Sequence, residues 1–151
     1  MRSAIRAGLL ALATLAAAGA ISPAGSEPRE LTMLKSPRCG CCNEWAEHMR
    51  RSGFSVEARD VADLARVKAE NGVPPRLASC HTAFVEGYVI EGHVPAADVE
   101  RLLALRPPVS GLAVPGMPIG SPGMEGPSPQ AYDVLSFDAS GRTAVFSSHA
   151  P

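Results

Sequence analysis

Three of the chain's four cysteines fall in the run Cys39-Gly40-Cys41-Cys42, where a short apolar strand should give way to a helix. No other stretch restricts the fold as much. The fourth, Cys80 in Ser79-Cys80-His81-Thr82, must be reconciled with the other three. Buried cysteine is kept or lost for its reactivity more than for its volume, so a cluster this dense marks a functional centre and not packing. The four thiols have to meet each other, a metal ion, or both.

At 151 residues the chain has room for one domain with a modest core. Its formal net charge of -1 speaks against a nucleic-acid surface or electrostatic attachment to a membrane. Arg2 and Arg6 precede an apolar run from Ala7 to Ile21, and Ala18-Gly19-Ala20 offers a cleavage site, the pattern of an export leader. The run is about 15 residues, short of the roughly 20 that a spanning helix needs, so no membrane span is expected after cleavage. Residues 1–26 are therefore read as leader and linker, and 27–151 as the folded unit. Export leads to an oxidising compartment, where thiols form disulfides unless a metal or a partner protects them. Twin arginines are absent from the leader, which favours export of an unfolded chain and metal loading afterwards.

Local patterns predict the elements in order. Glu30 to Leu34 form a first strand, ended by Lys35-Ser36-Pro37-Arg38, where proline forces a turn. A helix runs from Cys41 or Cys42 to Arg51, with Trp45, His48 and Met49 on one face and Gly53 as its stop. Phe54 to Arg59 alternate as a second strand. Asp60 or Asp63 caps a helix through Ala69, with Leu64, Val67 and Lys68 at helical spacing and Asn71-Gly72 after it. Val73-Pro74-Pro75 breaks the helical pattern before a hairpin of Cys80 to Val85 and Tyr88 to Glu91, turning at Glu86-Gly87. Gly92-His93-Val94-Pro95 then leads into a helix from Ala96 to Leu105, with Val99, Leu102 and Leu103 facing the core.

The order strand, helix, strand, helix, strand, strand, helix resembles the thioredoxin-like α/β fold (βαβαββα). In that fold the proline-led loop before the third strand faces the helix that carries the cysteine motif. The resemblance thus implies that Cys80 and His81 approach the first three cysteines, despite about 40 intervening residues.

Beyond this core the chain changes character. The chain holds 14 prolines and 14 glycines, and they dominate residues 107–129, where regular structure is not expected. A long loop in a compact domain is usually functional or disordered. It ends in a second hairpin, Tyr132 to Phe137 and Arg142 to Phe146, turning at Asp138-Ala139-Ser140-Gly141.

A cysteine at a helix N-terminus has its thiolate stabilised by unpaired backbone N–H groups and the helix dipole, and Lys35 and Arg38 add positive charge nearby. Cys39 and Cys42 alone make a C-x-x-C, the spacing of a redox pair. Cys41 complicates that reading, because a third thiol can scramble the disulfide or join a metal site. Soft sulfur donors select Cu(I), zinc or iron–sulfur clusters. Zinc motifs generally separate their cysteines by two or more residues, which the adjacent Cys41 and Cys42 do not. Iron–sulfur clusters have spacings of their own and fit an exported chain worse. Closely spaced thiolates can bridge several Cu(I) ions.

The residues also carry a family resemblance. Lys35-Ser36-Pro37-Arg38-Cys39-Gly40-Cys41-Cys42, Trp45, His48-Met49, Gly72-Val73-Pro74, Ser79-Cys80-His81-Thr82-Ala83, the stretch from Gly87 to Pro95, Gly111 to Pro118 and Gly120 to Glu125 together resemble the CopG-like family, associated with bacterial copper resistance. The resemblance spans about Leu31 to Phe146. It implies a periplasmic copper-binding protein of thioredoxin-like fold, with Cys39, Cys41, Cys42 and Cys80 holding more than one Cu(I) and a role in interconverting Cu(I) and Cu(II). Copper ions and periplasmic copper-handling proteins are the expected partners.

Each candidate has a plainer reading. The four cysteines could form two structural disulfides, in any of three pairings. Loops this short gain little chain entropy from a crosslink. His81 either ligates beside Cys80 or faces the opposite side of its strand, since strand neighbours point apart. His93 either reaches the cluster or orders its turn. Met117 and Met124 are either outer copper ligands or a hydrophobic plug. His48 lies about 10 Å along the helix from the cysteines, too far to share their metal, and Met49 and Trp45 are read as packing. His149 is given no role. Three functions remain: a Cu(I)-thiolate protein, a thiol–disulfide oxidoreductase using Cys39 and Cys42 with Cys80 or Cys41 resolving, and a disulfide-stapled binding module with a Met-rich loop.

Overall fold

The computed structural model describes residues 27–151, so the expected leader lies outside the described residues. Strand β1 (Arg29–Lys35) alternates, burying Leu31, Met33 and Lys35. Helix α1 (Gly40–Arg51) buries Cys42, Trp45, Ala46 and Met49, a stripe at i, i+3, i+4 and i+7. It stops at Gly53, whose φ of 88° only glycine adopts without strain. Strand β2 (Phe54–Asp60) then lies parallel to β1. Helix α2 (Leu64–Glu70) starts at Asp63, whose side chain accepts from the Arg66 N–H at 2.9 Å. A short 3₁₀ turn, Pro75–Leu77, carries the chain back to the sheet.

Strands β3 (His81–Val85) and β4 (Tyr88–Glu91) form the expected hairpin, with β3 antiparallel to β1. Helix α3 (Ala96–Leu105) turns Ala96, Val99, Leu102 and Leu103 inward. The seven elements expected up to this point are all present, in the expected order. Only their ends move, by a residue or two.

Two expectations are corrected downstream. The glycine- and proline-rich stretch contains a strand, β5 (Gly111–Ala113), which pairs parallel to β4. Gly111 permits it: a Cβ there would lie 1.9 Å from the Val89 carbonyl oxygen. Strand β6 (Tyr132–Phe137) is antiparallel to β5, and β7 (Thr143–His149) completes the hairpin, running past Phe146. His149 therefore has a structural task. Its Nε2 lies 2.7 Å from the Asp98 carboxylate of α3, and its ring stacks on Tyr132 at 4.9 Å.

Among the described residues seven strands join one mixed sheet in the order β2-β1-β3-β4-β5-β6-β7, accompanied by three α-helices. The core between α1, α3 and the sheet is built on Trp45, Met33, Met49, Ile90, Leu102 and Leu112, each essentially excluded from solvent. Trp45 also donates from Nε1 to the Val94 carbonyl at 2.8 Å, tying α1 to the link between β4 and α3. His48 does the same from the next turn, its Nε2 accepting from the Ala96 N–H at 3.0 Å. Among the described residues no helix is long and apolar enough to cross a membrane.

Candidate metal centre

The sheet register delivers the fourth cysteine. Lys35, the last residue of β1, pairs with His81, the first of β3, so Cys80 stands beside the chain as it leaves β1 for α1. Cys39 is the N-cap residue of α1, in extended conformation, and its N–H donates to the Ser36 carbonyl at 3.2 Å. Cys41 and Cys42 lie in the first turn. Cys42 points into the core and is fully buried, while Cys39, Cys41 and Cys80 remain partly open.

The four sulfurs lie within 4.8 Å of one another. Cys39 and Cys42 are joined as a disulfide, and Cys41 and Cys80 are free. Cys41 Sγ is 3.5 Å from Cys39 Sγ and 4.0 Å from Cys80 Sγ. Cys42 Sγ also touches the Cys80 carbonyl at 3.6 Å, a packing contact, since a disulfide sulfur has no proton to donate.

Two histidines close on Cys80 from the sheet side. His93 Nε2 lies 2.8 Å from Cys80 Sγ, and His81 Nδ1 lies 3.4 Å from it. Cys80, His81 and His93 form a second group whose ligand atoms also fall within 4.8 Å. The strand alternation that could have turned His81 away does not do so, because Cys80 precedes β3 and is not held to its pleat. Of the two histidines, His93 makes the shorter contact. Its signal was the Gly-His-Val-Pro link, which sends the backbone across the mouth of the site.

Burial governs the electrostatics. It pushes the Cys80 thiol up to about 12, with the nearby Cys41 adding to the rise. Burial likewise holds His81 well below its ordinary value, reinforced by His93 and Lys68, and lowers His93. Both rings are thus neutral near pH 7 and keep a lone pair for a ligand. Lys35 does not supply the positive charge that its position suggested: its ammonium is buried and paired with Asp60 at 2.7 Å.

One atom is conspicuous by its isolation. His81 Nε2 is buried and has no hydrogen-bond partner among the described residues. An unpaired buried nitrogen costs about 1–3 kcal/mol. Two neutral imidazoles and up to four sulfurs make a donor set suited to a soft metal ion.

The glycine- and proline-rich loop wraps over this site. Ser79 Oγ donates to the Gly116 carbonyl at 2.5 Å, which sets half-exposed Met117 beside the Cys80 segment. Such exposure does not suit a plug. Further on, Pro122 O lies 2.7 Å from His93 Nδ1, and partly buried Met124 follows Gly123, which rests on the backbone of α1.

Comparison with known proteins adds an independent line. A family model described as a protein of unknown function, DUF411, matches residues 77–124, a span that includes Cys80, His81, His93, Met117 and Met124. No curated protein matches the chain. Two solved structures do. Copper resistance protein CopG, form 2, is 42% identical, with a TM-score of 0.78 over 82% of this chain and 99% of its own. Form 1 of the same protein is 41% identical, with a TM-score of 0.78 over 83% of this chain and 100% of its own. With identity at this level over nearly the full length of those relatives, the chain belongs to the CopG-like family.

Proposed function

We propose that this protein binds Cu(I) in the periplasm through a cysteine-thiolate cluster and serves copper resistance or homeostasis. The observation that carries the reading is the gathering of Cys39, Cys41, Cys42 and Cys80 within 4.8 Å at the mouth of one helix. Kinship with copper resistance proteins supports the choice of metal. The arrangement β2-β1-β3-β4, with the motif between β1 and α1, supports the thioredoxin-like reading of residues 27–151. The apolar leader with Arg2 and Arg6 supports export.

Copper is the cargo, and the chain's own groups do the handling. Reduction of the Cys39–Cys42 bond makes four thiols available, enough for sulfurs to bridge more than one ion. Cys80 must lose a proton to ligate, so loading releases protons and weakens in acid. His81 and His93 supply neutral nitrogen donors next to Cys80, and Met117 and Met124 supply outer thioethers. Oxidation of Cys39 and Cys42 to the disulfide yields two electrons and two protons, the amount needed to take two Cu(II) to two Cu(I). That stoichiometry supports a role in interconverting the two oxidation states.

A second reading has its own observation. The Cys39–Cys42 disulfide, with the free thiol of Cys41 3.5 Å from Cys39, is what a thiol–disulfide oxidoreductase would present. Cu(I) titration of the reduced protein, set beside an insulin-reduction assay of the metal-free protein, separates the two. The copper reading expects more than one Cu(I) per chain and little insulin turnover. Strong turnover without copper binding would overturn it. Met117→Ala should alter Cu(I) affinity less than any cysteine substitution.

A further inference from the structure

We infer that Pro122 and Gly123 form a positioning seat for His93, built so that its ring carries the proton on Nδ1 and turns the lone pair of Nε2 toward Cys80. The inference rests on the copper reading only for its purpose; the seat itself is a property of the metal-free chain.

Tautomer choice follows from one contact. Pro122 O is 2.7 Å from His93 Nδ1, and a carbonyl oxygen can only accept a hydrogen bond. Nδ1 therefore bears the hydrogen. In a neutral imidazole Nε2 is then the acceptor, and Nε2 is the atom 2.8 Å from Cys80 Sγ. With the proton on the other nitrogen, an N–H would block the direction a metal needs, and the Pro122 oxygen would face a second lone pair.

Gly123 explains why the carbonyl can come so close. A Cβ at this position would lie 2.7 Å from Trp45 N and 2.8 Å from Cys41 O. Those two atoms are the donor and acceptor sites of one i to i+4 step in α1, so neither can yield without opening the helix that carries the cysteines. The φ of 83° at Gly123 disfavours any side chain independently. The approach is held from the other side as well. Glu125 Oε1 accepts from the Gly123 N–H at 2.9 Å, the Gly120 N–H donates to Met124 O at 2.9 Å, and buried Ser121 donates from Oγ to Pro118 O at 2.7 Å. The loop is thus fastened to itself, to the cysteine helix and to the histidine. An orienting carbonyl on the far nitrogen of a ligating histidine is the usual way a metal site fixes ring and tautomer.

The test reads tautomers directly. Two-bond ¹H–¹⁵N correlation spectra of the metal-free, reduced protein, with His93→Gln assigning the signal, should show His93 as a single Nδ1–H form. An Nε2–H form in the unsubstituted protein overturns the inference. Gly123→Ala should abolish that single-tautomer signature and, in the Cu(I)-loaded protein, lower the nitrogen scattering in X-ray absorption to what His81 alone supplies while sulfur scattering remains. A folded Gly123→Ala protein that keeps both the tautomer and the full nitrogen scattering of the parent overturns the role given to Gly123. Should that variant not fold, Glu125→Ala, which only unfastens Gly123 from outside, must loosen the tautomer in its place or the role falls. A protein that binds no Cu(I) yet shows the Nδ1–H form would refute the copper reading and leave the seat standing.

Discussion

Neighbouring residues on β3, His81 and Thr82, open onto two polar clusters of opposite design. On the Thr82 side, Lys68 donates to Glu91 at 2.5 Å and to Thr82 Oγ1 at 3.0 Å, Thr82 donates to the second Glu91 oxygen at 2.7 Å, and the Ser79 N–H donates to Glu91 at 2.6 Å. Both oxygens of that carboxylate are occupied. On the His81 side, sulfurs meet at 3.5–4.0 Å and His81 Nε2 has no partner at all among the described residues. Buried polar groups are normally satisfied, and the exceptions need a reason. A saturated cluster is finished structure. The other keeps a buried nitrogen unpaired and Cys39, Cys41 and Cys80 partly open.

The contrast can be broken most decisively at Glu91. Glu91→Ala leaves the Lys68 ammonium buried without its counter-charge and frees the Ser79 N–H, and removing one partner of a buried pair typically costs about 3–5 kcal/mol. Urea denaturation should register a loss of that order; a loss under about 1 kcal/mol would mean the saturated cluster is not structural. Acidification comes next. His81 and His93 have values lowered by burial, so the unfolded chain takes up protons first as pH falls below about 6.5. Stability is fully present above that pH and should decline below it, by up to about 1.4 kcal/mol per pH unit for each ring. Urea midpoints between pH 7 and pH 5 give the slope, and a flat profile would contradict neutral burial of the rings.

Smaller effects sharpen the comparison. His81→Phe removes the unpaired nitrogen while keeping a ring against Trp45, whose centroid is 4.3 Å away. The metal-free variant should be as stable as the parent or up to about 1 kcal/mol more so, because the orphan is gone. Cys41→Ser should barely change stability, within roughly 0.5 kcal/mol at a partly exposed site. It should nonetheless lower the copper content by elemental analysis. Unaltered copper content would remove Cys41 from any bridging role.

The elements up to α3 could be read from the sequence because each carries its own signal: the proline turn that ends β1, the Trp45 and Met49 stripe in α1, alternation in β2, Asp63 at the start of α2, Glu86-Gly87 in the hairpin. Strand β5 carries none. Its three residues are Gly, Leu and Ala, and only the approach of β4 and β6 makes them a strand. The cysteines were recognisable by spacing, and their meeting with Cys80 by fold resemblance. The approach of His93 to Cys80, and the capping of α3 by His48, depend on where backbones cross, which spacing along the chain does not encode. Lys68 shows the same limit. It sits on the apolar stripe of α2, where its buried partners Glu91 and Thr82 explain it.

The antiparallel pairing of β5 with β6 has a consequence for how relatives of this chain can differ. Because the two ends of the segment between them are pinned side by side, that segment is in effect one oversized hairpin connection. Lengthening such a connection costs little, about 0.6 kcal/mol per doubling. Its thioethers can therefore be added, lost or respaced by inheritance with the scaffold left intact, provided the single glycine that leans on the cysteine helix is kept.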